Sequence, residues 1–154
     1  MRSDRLSYYM YKYMPVCMGV LVYFILIFSY LYPERSTING RPGPPDTIET
    51  IVMGFCGILL VLTPKLYSDH LVHVEMNSQR ILILKDDARI SVYWIDIEEV
   101  YMLKFISPTL YKLRVKNRDG YFLFTSSAFG LRFWGSDLSD MGYLIEKKKN
   151  ELGI

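Results

Sequence analysis

Cysteine, histidine and tryptophan each occur only twice in this chain of 154 residues. Cys17 and Cys56 both fall inside long apolar runs, which excludes a disulfide framework or a cysteine-rich metal site as the organising principle. In two antiparallel helices Cys17 would lie about 6 Å, and Cys56 about 16 Å, from the same end. That offset exceeds the roughly 7 Å Cα separation a disulfide can span. Both are read as small packing residues. His70 and His73, three apart on a strand, point to opposite faces and do not form a metal pair.

Other chemistry is missing as well. The chain has no glycine-rich phosphate loop, no nucleophile elbow and no Cys–His arrangement. Asp86 with Asp87, and Glu98 with Glu99, are sequence neighbours at turns, where carboxylates face solvent rather than converge on one substrate. A formal net charge of +2 is too small for a nucleic-acid surface. The expectation is a protein that is not an enzyme, with no cofactor, no metal and no nucleic-acid partner.

Charge is also absent from two stretches, and this absence is the most informative. No charged residue lies between Lys12 and Glu34, and the run 13–32 matches the roughly 20 apolar residues that cross a hydrocarbon core. A second run, 47–66, is uncharged between Glu49 and Lys65. Glu49 sits in its first turn, and Lys65 can carry its ammonium to the headgroups on an aliphatic stem. The alternative for the first run is a cleaved signal peptide, but the run exceeds such a peptide's apolar region of about 7 to 15 residues and no small-residue cleavage site follows it.

The boundaries of these helices are marked. Asp46 with Glu49 makes a capping-box pattern after Pro44 and Pro45. Pro64 predicts a stop or kink near Thr63, and Pro15 is placed in the opening turn of the first helix. The short segment 33–46 makes the two helices antiparallel neighbours, with both chain ends on one side. Gly54 and Gly57, with Gly19 opposite, either let the helices approach closely or reflect the general frequency of glycine in membrane helices. Arg2, Arg5, Lys12 and Lys65 outnumber Arg35 and Arg41, which favours cytosolic ends. Tyrosines at the ends of the runs suit aromatic belts.

From residue 68 onward the pattern is that of strands. Leu71–Glu75, Ile81–Leu84, Ala88–Trp94, Val100–Phe105, Tyr111–Lys116 and Tyr121–Thr125 are candidate strands, with a further short one in Gly130–Trp134. Asn117-Arg118-Asp119-Gly120 signals a turn. Ser136 or Asp137 would cap a final helix carrying Leu138, Met141, Ile145 and Leu152 at helical spacing. The organisation expected is a cytosolic segment 1–12, a transmembrane hairpin 13–67 and a soluble α+β domain 68–154.

The segment from Arg89 to Val100, RISVYWIDIEEV, resembles a phrase of bacterial PH-like and GRAM-like domains, in which an apolar residue and Trp precede an acidic-Ile turn and Val. Many such domains follow a two-helix hairpin in small bacterial membrane proteins. The resemblance implies a PH-like antiparallel β-barrel of about six to seven strands with a C-terminal helix, in a bacterial inner membrane with the N-terminus and the domain cytosolic. Only Arg80 stands in the first hairpin, where phosphoinositide-binding relatives place several basic residues, so inositol phosphate recognition is not implied.

Two surfaces remain as candidate sites. Lys112, Arg114, Lys116 and Arg118 form a basic stripe that is either a solvated strand face or a contact for anionic headgroups, at about 1 kcal/mol per charge. Phe129, Leu131, Phe133 and Trp134 are either core or an exposed apolar patch for a partner or the bilayer. The functional expectation is a non-catalytic, membrane-anchored adaptor that binds a protein. The alternatives are an immunity-type inhibitor of a membrane-acting toxin and an anionic-lipid sensor. Membrane lipids and a protein are the expected partners, and self-association is left open.

Overall fold

A computed structural model of the chain describes residues 1–38, 40–85, 88–103, 109–126 and 137–154. The chain divides into two compact units, Tyr11–Ser68 and a second made of Met1–Met10 together with Asp69–Ile154.

The first unit is built on two helices, α1 (Arg5–Leu31) and α2 (Thr47–Tyr67). Both are long and apolar enough to cross a membrane, with mean hydropathies of 2.2 and 1.8 over their most apolar windows. Only 17% and 11% of those windows is buried, whereas the core helix of a water-soluble protein would be mostly covered. Phe24, Ile27, Ile51 and Phe55 are among the exposed side chains. An apolar surface of this extent requires apolar surroundings, which supports membrane association.

Helix α2 begins where its sequence signals it. The Asp46 carboxylate accepts the Glu49 amide at 2.8 Å, and the Glu49 carboxylate accepts the Asp46 amide at 3.1 Å. Two amides that a helix start leaves unpaired are satisfied in this way. Pro64 does not end the helix, which continues to Tyr67. Pro15 is not in an opening turn either, because α1 starts ten residues before it at Arg5. Its missing amide therefore falls inside a helix and leaves the Tyr11 carbonyl without its intrahelical donor. The Tyr67 hydroxyl of α2 fills that place, donating to Tyr11 O at 2.6 Å.

Glycine sets the spacing of the two helices. A Cβ on Gly19 would lie 2.7 Å from Val61 Cγ2 and 2.9 Å from the Gly57 carbonyl oxygen, and one on Gly57 would lie 2.9 Å from the Tyr23 ring. Above that contact the Tyr23 hydroxyl donates to Gly54 O at 2.9 Å. Close approach therefore depends on Gly19 and Gly57, while a Cβ at Gly54 would meet nothing within 4 Å. The connection holds a short turn at Pro33–Arg35 and a minimal hairpin of β1 (Thr37–Ile38) and β2 (Arg41–Pro42). Cys17 and Cys56 are free thiols on the exposed surface.

The second unit contains two antiparallel three-stranded sheets. One is β3 (His73–Met76), β4 (Arg80–Lys85) and β5 (Ala88–Tyr93), and the other is β6 (Ile97–Met102), β7 (Leu110–Val115) and β8 (Phe122–Thr125). The Asn77 carboxamide shapes the first hairpin by accepting the amides of Gln79 and Arg80, both at 2.9 Å. A single helical turn, Trp94–Asp96, links β5 to β6, so the fourth strand starts at Ile97 rather than Val100. Before β3, Val72 donates to Leu123 O and Leu123 to His70 O, so residues 70–72 lie along β8. The stretch 70–76 thereby contributes to both sheets.

Strand β7 alternates as its sequence requires, with Tyr111, Leu113 and Val115 buried. After it Asn117 takes a left-handed conformation at φ 58° and Gly120 one at 89°, which closes the turn. The final helix, α3 (Asp140–Leu152), is capped by Ser139 and not by Ser136 or Asp137: the Ser139 hydroxyl accepts the Gly142 amide at 3.0 Å. Asp137 instead accepts from the Tyr111 hydroxyl at 2.9 Å and from the Ser139 amide at 3.0 Å. Met141 and Ile145 enter the core shared with Val74, Ile83, Val100 and Leu113, whereas Leu138 and Leu152 are exposed. The segment 130–134, a candidate strand, lies outside the described residues.

Two measurements check the hairpin. Tyr67→Phe should cost about 1–3 kcal/mol in the unfolding of detergent-solubilised protein, and much less when Pro15→Ala has restored the amide to Tyr11 O. Gly19→Ala should destabilise by about 1–3 kcal/mol through overpacking, while Gly54→Ala should be neutral or slightly stabilising.

Candidate functional site

Strand β7 places Lys112 and Arg114 on its outward face, with Lys116 and Arg118 following in the turn. Each has neighbours that limit what it can offer. The Lys112 ammonium sits 4.6 Å from the Tyr121 ring centroid and 5.7 Å from that of Tyr101, a position favoured by the negative ring faces. Arg114 stands directly opposite Glu99 in the strand register. Lys116 donates through Nζ to the Ile95 carbonyl at 2.8 Å, while its amide bonds to Asp96 O. The four cations do not form a uniform free stripe, and Asp96, Glu98, Glu99 and Asp119 share their surroundings in sequence. Phe133 and Trp134, with Phe129 and Leu131, lie outside the described residues, as do Asp86 and Asp87.

The two histidines are separated by their partners. His70 precedes β3 in a turn, with Nδ1 3.1 Å from the Tyr121 carbonyl and its ring stacked on Tyr121 at 4.2 Å. His73 opens β3 and stacks on Tyr8 at 4.1 Å, with Nδ1 3.3 Å from the Ser3 hydroxyl. Among the described residues no three His, Cys, Asp or Glu side chains are grouped as metal ligands.

A polar cluster that sequence reasoning did not anticipate lies at the chain's first residues. Arg2 bridges Glu75 in antiparallel pairing, Ser3 donates its amide to Val74 O at 2.7 Å, and the Met76 amide donates to Met1 O at 2.8 Å. Residues 1–3 therefore extend the β3 edge. The Ser3 hydroxyl accepts the Val74 amide at 2.9 Å and is nearly fully buried. Asp4 then caps α1: its carboxylate accepts the Ser7 hydroxyl at 2.7 Å and the amides of Ser7 and Leu6. The only local signal is an Asp three residues before Ser7 at the start of an amphipathic run, which is an N-cap spacing.

The electrostatics of this cluster favour neutral His73 and ionised Asp4. Burial, followed by the charges of Arg2 and Arg5, holds His73 below the usual imidazole range, with Asp4 pulling weakly the other way. Burial raises the Asp4 carboxyl, but the hydrogen bonds from Ser7 and Leu6, helped by His73, outweigh it and leave Asp4 below the usual carboxylate range. Beside the cluster a cleft of about 410 Å³ is lined by Arg2, Glu75, Asn77, Arg80 and Leu82, with Met1 and Met76. Arg2 and Glu75 pair across it at 3.3 Å, both about half exposed.

Apolar side chains also reach the surface of this unit. Tyr93 and Ile95 flank Trp94, whose indole is buried and donates to Asn77 O at 2.8 Å. Leu138 and Tyr143 are exposed before and on α3. Comparison of the chain with family models, curated proteins and solved structures finds no match.

The unequal roles of the cations can be measured. Lys116→Met should cost about 0.5–1.5 kcal/mol of domain stability through the lost bond to Ile95 O, while Arg118→Gln should change it by less than about 0.5 kcal/mol.

Proposed function

We propose that this protein is a non-catalytic, membrane-anchored adaptor whose domain binds a protein at the membrane surface. The observation that supports it is the exposure of Tyr93, Ile95, Leu138 and Tyr143, between 57% and 75%, on a unit separate from the apolar helices. Exposed aromatic and aliphatic side chains beside polar groups are typical anchors of protein interfaces. The domain is read as a PH-like barrel. Supporting that reading are two three-stranded antiparallel sheets, the stretch 70–76 contributing to both, and a C-terminal helix with Met141 and Ile145 in the common core. We read the membrane as a bacterial inner membrane with the N-terminus and domain in the cytosol, an orientation supported by the excess of Arg2, Arg5, Lys12 and Lys65 over Arg35 and Arg41.

The two other readings have less support. A lipid sensor would draw on Lys112, Arg114, Lys116 and Arg118, but Lys116 is bonded to Ile95 O and Arg114 faces Glu99. An immunity-type inhibitor is a particular case of protein binding, and its partner would be a membrane-acting toxin.

Purification of the full chain from its own membranes in mild detergent should retain one protein in fixed ratio. Tyr93→Ser with Ile95→Ser, or Leu138→Ser with Tyr143→Ser, should release it at unchanged folding. A preparation retaining only anionic lipid would overturn the adaptor reading. In that case the combined Lys112→Gln, Arg114→Gln and Lys116→Gln variant should abolish salt-sensitive liposome binding.

A further inference from the structure

The edges of the two sheets are treated unequally. Residues 1–3 lie along β3, and residues 70–72 lie along β8. Strand β6 carries a register shift between Ile97 and Glu99, with Glu98 and Glu99 at the irregularity. Covering segments, bulges and charges are the devices that keep a sheet edge from pairing with another chain. Strand β5 has no cover and no bulge. Its six residues, Ala88–Tyr93, run in unbroken register with β4, include neither proline nor glycine, and carry one charge, Arg89. Among the described residues no strand pairs with its far side.

The printed bonds fix which backbone groups that side presents. Val74 and Met76 turn their amides and carbonyls toward residues 1–3, so His73 and Glu75 turn theirs toward β4. The Asn77 amide on Arg80 O continues that alternation. On β4, Arg80, Leu82 and Leu84 are thus engaged with β3, which leaves Ile81, Ile83 and Lys85 for their β5 partners Val92, Ile90 and Ala88. Arg89, Ser91 and Tyr93 therefore turn their backbone groups outward, and all three residues are exposed.

We propose that β5 is a self-pairing edge: two copies of the chain join β5 to β5, antiparallel, about a two-fold axis at Ser91, so that their first sheets become one. An axis at Ser91 is the one that sets all three outward-turned residues against one another, Ser91 against Ser91 and Arg89 against Tyr93. The guanidinium then lies beside a phenol ring rather than a like charge. On the inner face Ile90, half-buried against the core, meets the second copy's Val92, apolar against apolar. An axis at Arg89 would instead oppose two guanidinium groups. Anchoring by the two long apolar helices holds copies in one membrane and raises their effective concentration. The pairing goes beyond the adaptor reading: a retained protein of different sequence bears on that reading, a second copy on this one.

The test uses the full chain in mild detergent and in nanodiscs, with its mass followed by light scattering and native mass spectrometry. The chain should be a dimer that dissociates on dilution. Ser91→Pro removes an outward amide and no bond to β4, so it should give a folded monomer. Where that variant fails to fold, Ser91→Lys serves, because residue 91 is exposed: Lys opposite Lys should weaken the dimer by up to about fivefold, and mixing with Ser91→Glu should restore it. With Cys17→Ala and Cys56→Ala in place, Ser91→Cys should form an intermolecular disulfide under mild oxidation. Arg89→Cys, about 14 Å from its counterpart in this register, should not. A chain that stays monomeric at every concentration, a dimer indifferent to both Ser91→Pro and Ser91→Lys, or cross-linking at Arg89 in preference to Ser91 overturns the pairing. So does a chain that does not self-associate but releases a different protein on Ser91→Pro, an outcome that would leave the adaptor reading standing.

Discussion

A backbone amide or carbonyl shut away from water must find a partner within the chain, and the rest of this structure follows from how that demand is met. In an apolar setting the demand is strictest, and Pro15 creates a vacancy there by removing the donor to Tyr11 O. The hydroxyl of Tyr67, from the last residue of the other helix, fills it. The same demand explains the paired bonds of Asp46 and Glu49, and the Tyr23 hydroxyl on Gly54 O. Helix pairing in this unit is thus a matter of satisfied polar groups and of two glycines that let backbones meet. Apolar attraction contributes little, since an apolar side chain is as well placed against lipid as against protein.

In the domain the same rule governs the free edge of a sheet. An open β3 edge would present unpaired amides and carbonyls to any passing strand. Residues 1–3 occupy it, and the Ser3 side chain takes the Val74 amide. The cations that suggested a binding stripe are partly used in the same manner: Lys116 satisfies the Ile95 carbonyl at the sheet corner, and Lys112 lies over aromatic rings. Tyr93, Ile95, Leu138 and Tyr143 are among the apolar side chains that stay accessible in the domain.

Much of the architecture was legible in the sequence because it rests on local signals. Charge-free length identified both long helices, the Asp46–Glu49 spacing identified a cap, and alternation in 111–115 identified a buried strand face. The less accurate readings have two causes. Pro15 suggested a helix start although Asp4, three residues before Ser7, is a local cap signal for an earlier one. Elsewhere the deciding contact is distant in sequence. Ser136 and Asp137 suggested a cap, but Asp137 is engaged by Tyr111 from another strand. Leu138 fitted the helical apolar spacing yet precedes the helix and stays exposed. Of the basic residues only Lys112 and Arg114 lie on the outward face of β7, with Lys116 and Arg118 beyond its end, and their neighbours Glu99, Tyr121 and Ile95 O became visible only through strand register and folding.

The hairpin is, in chain order, an insertion: residues 11–68 interrupt a domain whose other parts are 1–10 and 69–154. Synthesis proceeds from the N-terminus, so residues 1–3 are made before their strand partner, which follows only after both apolar helices have left the ribosome. Until then Ser3 and Asp4 have no sheet to join, and the domain cannot close. Completion of the domain's fold is therefore coupled in time to the fate of the helices between its two parts. A chain whose helices were mislocated would carry an open β3 edge, a defect that proteases and chaperones can recognise.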